Sequence, residues 1–168
     1  MLGFSADEAQ YALVADRLAP GYPAHPPLVA DCRFALADPA AGEAAYREAH
    51  IPCAVYLHLE RDLSGPAGPT GGRHPLPSPE AFGRTLRRVG LDAGRLLVAC
   101  DDSRGAFAAR LWWLARYFGH ANVRVLDGGV QAWSRAGFAL DSAVPAPAAG
   151  ARSASRGWAA TAYRVTSA

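Results

Sequence analysis

The stretch "LLVACDDSRGAFAARLWWLARYFG", Leu96 to Gly119, indicates the fold class of this 168-residue chain. The apolar run from Leu96 to Cys100 predicts a short strand that is buried on both faces. A polar loop follows, and the spacing of apolar residues then predicts a helix from Gly105 to Phe118 that ends at Gly119. A strand, a loop and a helix in this order are the repeating unit of a parallel α/β sheet.

The same alternation continues through the chain and predicts a central parallel sheet with helices on both faces. Further strands are expected in "PPLVADCRF" (26–34), "IPCAVYLHL" (51–59) and "NVRVLDGG" (122–129). Further helices are expected in "ADEAQYALVADRLA" (6–19, capped by Ser5), "GEAAYREAH" (42–50), "SPEAFGRTLRRVG" (78–90, capped by Ser78) and "VQAWSRAG" (130–137). Residues 60–79 are rich in glycine and proline, and long loops of this kind are often functional.

The composition predicts a soluble, cytoplasmic protein. Hydrophobic residues make up 51% of the chain and charged residues 19%, and the formal net charge is +2, so no binding to nucleic acid or to a membrane is expected. No run approaches the roughly 18 apolar residues of a membrane span, and the first ten residues do not resemble a secretory signal. The three cysteines are widely spaced, which predicts neither a zinc site nor a disulfide framework. No metal and no cofactor are expected.

The regular pattern stops after residue 141. Residues 142–157 are rich in proline, alanine and serine and are interpreted as a linker. Residues 158–168, "WAATAYRVTSA", are interpreted as the possible start of a second domain that the chain lacks.

The polar loop after the strand at 96–100 is the first candidate site. Ligands of open parallel sheets bind beyond the carboxyl ends of the strands, where backbone N–H groups at a helix start point towards bound anions. A cysteine at the head of such a loop would be stabilised as the nucleophilic thiolate.

Four blocks of sequence, in order, resemble the rhodanese sulfurtransferases. They are "LVADCRF", "YREAHIPCAVYLHLERDLSG", "GGRHPLPSPEAF" and "CDDSRGAFAARLWWLARYFGHANVRVLDGGVQAW". The resemblance runs from roughly residue 6 to residue 141 and implies one rhodanese-like domain with the predicted sheet. It is greatest to the first half of two-domain thiosulfate or 3-mercaptopyruvate sulfurtransferases, in which the second domain usually carries the sulfur-accepting cysteine.

The resemblance also locates the active loop and a departure from it. The family's loop has six residues, with cysteine first and glycine fourth. Taking Gly105 as that glycine gives a binding loop of Asp102, Ser103, Arg104, Gly105, Ala106 and Phe107. Asp102 then stands where the family's cysteine would be, and a carboxylate cannot form a persulfide. This implies that the domain alone has little or no sulfurtransferase activity.

The residues themselves leave alternatives for this loop. Asp102 is expected to cap the following helix, since aspartate is among the preferred N-cap residues. A cation site at Asp101 and Asp102 is disfavoured, because hard cations need several further oxygen ligands. Cys100 is an unlikely nucleophile, since it lies at the end of the strand, where a cysteine packs as an inert apolar residue. Cys32 and Cys53 are expected to be packed or incidentally exposed.

The resemblance assigns candidate roles to two residues of the long loop. In the mercaptopyruvate branch, the first domain lends an acidic residue and a histidine to a site between the domains, and Glu60 and His74 match those positions. A histidine oriented by a carboxylate could relay a proton for a thiol substrate. The alternatives are that His74 only anchors the loop and that Glu60 is an exposed charge. Asp31 and Arg33 are expected to have a structural use, either as a buried ion pair or through hydrogen bonds to neighbouring loops.

The function implied for the intact protein is transfer of sulfane sulfur from thiosulfate or 3-mercaptopyruvate to cyanide or a thiol. The expected partners are a second rhodanese domain or a separate protein, together with small sulfur compounds. Whether this chain is itself an enzyme stays open. The alternative is a stand-alone, non-catalytic rhodanese-like module that binds or regulates another protein.

Overall fold

The computed structural model describes residues 3–4, 26–69 and 71–145, and these contain one parallel sheet. Its five strands lie in the order β1-β5-β4-β2-β3, and every neighbouring pair is parallel. The strands are β1 Gly3–Phe4, β2 Leu28–Asp31, β3 Val55–Tyr56, β4 Leu97–Cys100 and β5 Val123–Leu126. The predicted α/β class is confirmed.

Four helices connect or follow these strands in the described residues. They are α1 Ala41–Glu48, α2 Pro79–Arg88, α3 Ala108–Tyr117 and α4 Gly129–Arg135. The predicted cap of α2 is confirmed, because the Ser78 side chain accepts a hydrogen bond from the Ala81 N–H. Among these residues no helix has the length and apolar character needed to cross a membrane.

Two predicted elements are shorter in the structure because local turns take up their backbone groups. The strand expected over 51–59 is only Val55–Tyr56, since a turn joins the Ala54 N–H to the Ile51 carbonyl before it. The helix expected from Gly105 begins at Ala108. The predicted helix at 6–19, its Ser5 cap and residues 146–168 lie outside the described residues, so of the predicted linker only 142–145 are described.

Alternation along the strands produces two apolar cores, one on each face of the sheet. The first core lies under α2 and α3 and contains Leu97, Ala99 and their neighbours. The second lies under α1 and α4 and contains Val98 and Cys100 of the same strand. Because both faces are covered, the strands are largely apolar, as the sequence predicts, with Asp31 at the end of β2 and Arg124 in β5 as charged exceptions.

A buried ion pair lies at the carboxyl end of β2. The Arg33 guanidinium donates to Asp31 through Nε (2.9 Å to Oδ2) and Nη2 (2.7 Å to Oδ2). Nη2 also donates to the Ala49 carbonyl (2.7 Å), which ties β2 to the end of α1. Burial raises the pKa of the Asp31 carboxyl, and the bond to Arg33 opposes that shift. The predicted structural pair is confirmed.

The three cysteines are free and lie in different surroundings. Cys32 is buried in the core under α2 and α3, whereas Cys100 is buried in the core on the opposite face. Burial raises the pKa of both thiols well above the ordinary range, and the Asp31 carboxylate adds to this. Cys53 is exposed.

This burial predicts selective thiol labelling. In the folded chain at mildly alkaline pH, iodoacetamide should modify Cys53 alone, because the thiolate is the reactive form and the two buried thiols hold few thiolates. Peptide mass spectrometry before and after unfolding in guanidinium measures this directly. The Cys53→Ser variant should take up no label until it is unfolded. Labelling of Cys100 in the folded chain at a rate near that of Cys53 would contradict the packing described here.

Candidate functional site

The side chain of Asp101 organises the loop between β4 and α3. Its Oδ1 accepts hydrogen bonds from the N–H groups of Ser103 (2.9 Å) and Gly105 (2.8 Å). Its Oδ2 accepts from the N–H groups of Phe107 (2.8 Å) and Ala108 (2.9 Å). Asp101 is 1% exposed. The backbone N–H groups that could bind an anion at the start of α3 are therefore occupied by a carboxylate of the chain itself.

The turn before α4 closes the loop from the other side. The Val130 N–H donates to the Asp101 carbonyl (3.0 Å). Gly129 has φ +58°, and a Cβ at this position would lie 2.0 Å from that same carbonyl oxygen. Glycine is thus required here both for its backbone angle and for the close approach of the two chain segments.

The expectation that Asp102 caps the helix is wrong. The residue before α3 is Phe107, which makes no side-chain capping bond, and the capping bonds come from Asp101. Asp102 is exposed, and within the part of the chain that the structure describes its carboxylate accepts only from the Ser103 hydroxyl (3.1 Å). Its carbonyl accepts from the Gln131 side chain (2.8 Å). Two adjacent aspartates are equally good caps by residue type, and only the direction of the chain as it leaves β4 selects the first.

A cleft of about 630 Å³ opens beside Asp102. It is lined by the loop, the end of β5 and α4: Asp102, Arg104, Gly105, Val125, Leu126, Asp127, Gly128, Gln131 and Arg135. Two carboxylates face two guanidinium groups in this lining, so the cleft has no excess of positive charge for an anionic donor. A second cavity, of about 650 Å³, is lined by α1, α2 and the edge strand β3 and shares no residue with the loop.

Cys100 lies outside the network of the loop. Its side chain is fully buried between the sheet and the helices α1 and α4, and no described hydrogen bond joins its sulfur to a loop N–H. A buried thiol with a raised pKa holds little thiolate at neutral pH. The structure therefore gives Cys100 neither the exposure nor the charge of a nucleophile.

The two candidates in the long loop are in contact. His74 Nε2 lies 3.3 Å from Glu60 Oε1, although 14 residues separate them. The imidazole is 16% exposed and the carboxylate 38%. Because the carboxylate is an acceptor, the contact assigns the ring proton to Nε2. No hydrogen-bond partner of Nδ1 occurs among the residues that the structure describes.

One aromatic side chain joins this pair to the loop of Asp101. The ring of Phe34 packs edge-on against His74, with centroids 6.3 Å apart, and against Phe107, with centroids 5.6 Å apart. The carboxyl ends of β2 and β4 bring these residues to one edge of the sheet. His74, Glu60 and the loop are therefore parts of one region.

His58, which the sequence did not single out, fixes the backbone of Glu60. Its Nδ1 accepts from the N–H groups of Glu60 (3.1 Å) and Arg61 (3.3 Å). Its Nε2 then carries the proton and donates to the Pro39 carbonyl (3.2 Å). No local pattern marks this role, because it depends on a turn whose shape the sequence does not reveal. Within the described ranges, no three His, Cys, Asp or Glu side chains are grouped to hold a metal ion.

Known proteins share this architecture and sequence. A Pseudomonas aeruginosa protein named "Probable 3-mercaptopyruvate sulfurtransferase" is 52% identical over 116 residues, which cover 67% of this chain and 40% of that protein. Thiosulfate/3-mercaptopyruvate sulfurtransferase 2 of Arabidopsis thaliana is 41% identical over 100 residues, or 59% of this chain and 28% of that protein. The structure of 3-mercaptopyruvate sulfurtransferase from Leishmania major superposes with a TM-score of 0.71 at 26% identity, over 86% of this chain and 37% of that one.

The chain thus spans less than half the length of these relatives and aligns with one domain of the two-domain enzymes. The family model described as "Rhodanese-like domain" matches residues 14–136. With a parallel sheet, helices on both faces and this match over most of its length, the chain belongs to the rhodanese-like domain family.

Proposed function

We propose that this chain is the non-catalytic half of a rhodanese-family sulfurtransferase and that it contributes His74 and Glu60 to an active site completed by a second rhodanese-like domain. The intact protein would transfer sulfane sulfur from 3-mercaptopyruvate or thiosulfate to cyanide or a thiol. The observation that carries the proposal is the contact between His74 and Glu60 at the same edge of the sheet as a loop in which the Asp101 carboxylate occupies four N–H donors.

The loop between β4 and α3 supports a non-catalytic role for this domain in sulfur transfer. Persulfide formation needs a thiolate and donors that stabilise the sulfur anion. Asp102 stands at the position that corresponds to the family's cysteine, and the carboxylate of Asp101 holds four donors of the loop. The loop therefore has a carboxylate in place of the thiol, and four of its donors are not free to stabilise a sulfur anion.

The pair in the long loop supports a role in proton transfer. With the proton of His74 on Nε2 beside Glu60, the lone pair of Nδ1 is left to accept a proton from a thiol substrate. The carboxylate fixes the orientation of the ring and stabilises the imidazolium that then forms.

Apolar side chains beside this pair support a second domain as the partner. Leu36 is 54% exposed and Leu76 is 50% exposed, and both belong to segments next to His74, since Arg73 donates to the Leu36 carbonyl. Large exposed apolar residues around a polar site are typical of an interaction surface. The three free cysteines fit the reducing cytoplasm that the sequence predicts.

Because Asp102 stands at the position of the family's cysteine, we expect that the isolated chain accepts no sulfur. After incubation with thiosulfate, and separately with 3-mercaptopyruvate, intact mass spectrometry should show no added sulfur atom that cyanide removes. The Cys53→Ser variant serves as the matched chain, because it removes the one exposed thiol and any adventitious adduct with it. A cyanide-labile adduct that persists in Cys53→Ser and disappears in Cys100→Ser would overturn the proposal.

The proton-transfer role predicts the effect of variants in the full-length gene product. His74→Gln should lower kcat for 3-mercaptopyruvate by about 100-fold, the usual size of a general acid–base contribution, and Glu60→Gln should lower it less. Steady-state kinetics measures both. Glu48→Gln, an exposed glutamate at the end of α1, is the matched control and should change nothing. Activity within twofold of wild type in His74→Gln would exclude the relay and leave His74 with only a role in anchoring the loop.

A further inference from the structure

The long loop between β3 and α2 contains no regular helix or strand in its described part, residues 60–69 and 71–78. Yet it must bring His74 back to Glu60. The contact between the two side chains cannot do this alone, because Glu60 is more than a third exposed and exposed ion pairs contribute little stability. Something else must hold the backbone of His74.

The guanidinium of Arg110, in α3, contacts two segments of this loop. They are the outgoing arm, residues 63–65, and the returning arm, residues 74–76. Arg110 Nε donates to the Leu63 carbonyl (3.0 Å), and its Nη2 lies 3.3 Å from Ser64 Oγ, both on the outgoing arm. The same Nη2 donates to the carbonyls of His74 (2.9 Å) and Pro75 (3.0 Å) on the returning arm.

The arms also meet directly at the level of this guanidinium. The Gly65 N–H donates to the Pro75 carbonyl (3.0 Å). A Cβ on Gly65 would lie 2.5 Å from the Leu76 carbonyl oxygen, so the two backbones are in close contact there. Arg110 thus binds the two segments where they pass each other, and one of its bonds is to the backbone of His74 itself.

We infer that Arg110 is a positioning residue for His74: its guanidinium joins the two arms of the loop and so holds the imidazole against Glu60. The inference rests on the proposed function for its catalytic meaning, but the positioning itself is a property of this chain. Arginine suits the task because its planar fork presents Nε and Nη2 donors in fixed directions. Lysine keeps the charge but has a single donor centre and cannot reach both arms in the same way.

The same guanidinium connects the two parts of the candidate site. Arg110 lies in the first turn of α3, two residues after Ala108, whose N–H Asp101 binds. The loop between β4 and α3, held by Asp101, therefore sets the position of α3. The hydrogen bond from Arg110 then fixes the backbone of His74 relative to α3. This explains how an irregular segment can present a side chain at a defined place.

The test is a cycle of variants read by NMR on the isolated chain, which requires no turnover. In the wild type, Glu60→Gln should shift the ring ¹⁵N resonances of His74, because it removes the charge beside Nε2. In Arg110→Met and in Arg110→Lys, the same Glu60→Gln substitution should produce less than about a third of that shift. The reason is that the Nε and Nη2 donors of the Arg110 guanidinium, and not its charge alone, hold His74 against Glu60. Arg116→Met is the matched control, because Arg116 lies on the same helix over the Trp112 ring (5.3 Å).

The full Glu60-dependent shift in folded Arg110→Lys would overturn the inference, and so would an equal loss in Arg116→Met. Arg110→Lys keeps the result decisive if Arg110→Met does not fold. Failure of the proposed relay would be separate from this, since it would appear as unchanged turnover in His74→Gln while the NMR cycle still showed the dependence on Arg110.

Discussion

The carboxylate of Asp101 is the interaction on which the rest of the site depends. It binds four backbone N–H groups within seven residues. The backbone carbonyl of Asp101 also accepts a hydrogen bond from the Val130 N–H at the start of α4. Hydrogen bonds to a charged group contribute roughly 1.5–3 kcal/mol each when measured singly, and they are not additive in a network. The side chain of Asp101 sets the shape of the loop and the first turn of α3, and its backbone carbonyl contacts the turn at Gly129.

The same carboxylate gives the loop its chemical character. A helix start that follows a parallel strand is an anion site by geometry, and here the anion is part of the chain. We propose that the domain therefore contributes to the reaction through His74 and Glu60 of the long loop and not through the loop between β4 and α3. The Phe34 ring packs against His74 and against Phe107 of the loop, and Arg110 of α3 donates a hydrogen bond to the His74 carbonyl. The frame of α3 and the sheet thus holds the backbone of His74 in place.

The strands β2 to β5, the four described helices and the two faces of the sheet were predictable, because β2 and β4 are short apolar runs and Ser78 with Pro79 marks a helix start. The two-residue strand β1 was not predicted. The contact of Glu60 with His74 was anticipated through family resemblance, since spacing along a loop of this kind says nothing about closure. The choice between Asp101 and Asp102 was not predictable: it depends on how the chain leaves β4, which residue types do not encode. His58 and Arg110 were also missed, because their partners are backbone carbonyls and N–H groups distant in sequence.

Amide hydrogen exchange at the loop tests the central claim most directly. In the wild type, the N–H groups that Asp101 binds should exchange slowly. In Asp101→Asn they should exchange at least about tenfold faster, as expected when a bond to a charged group of more than roughly 1.4 kcal/mol is lost. The amide of Val98 in β4 should stay protected in both proteins. Equal exchange rates at these loop amides in the wild type and in Asp101→Asn would contradict the account, because the loop would then hold its shape without the internal anion.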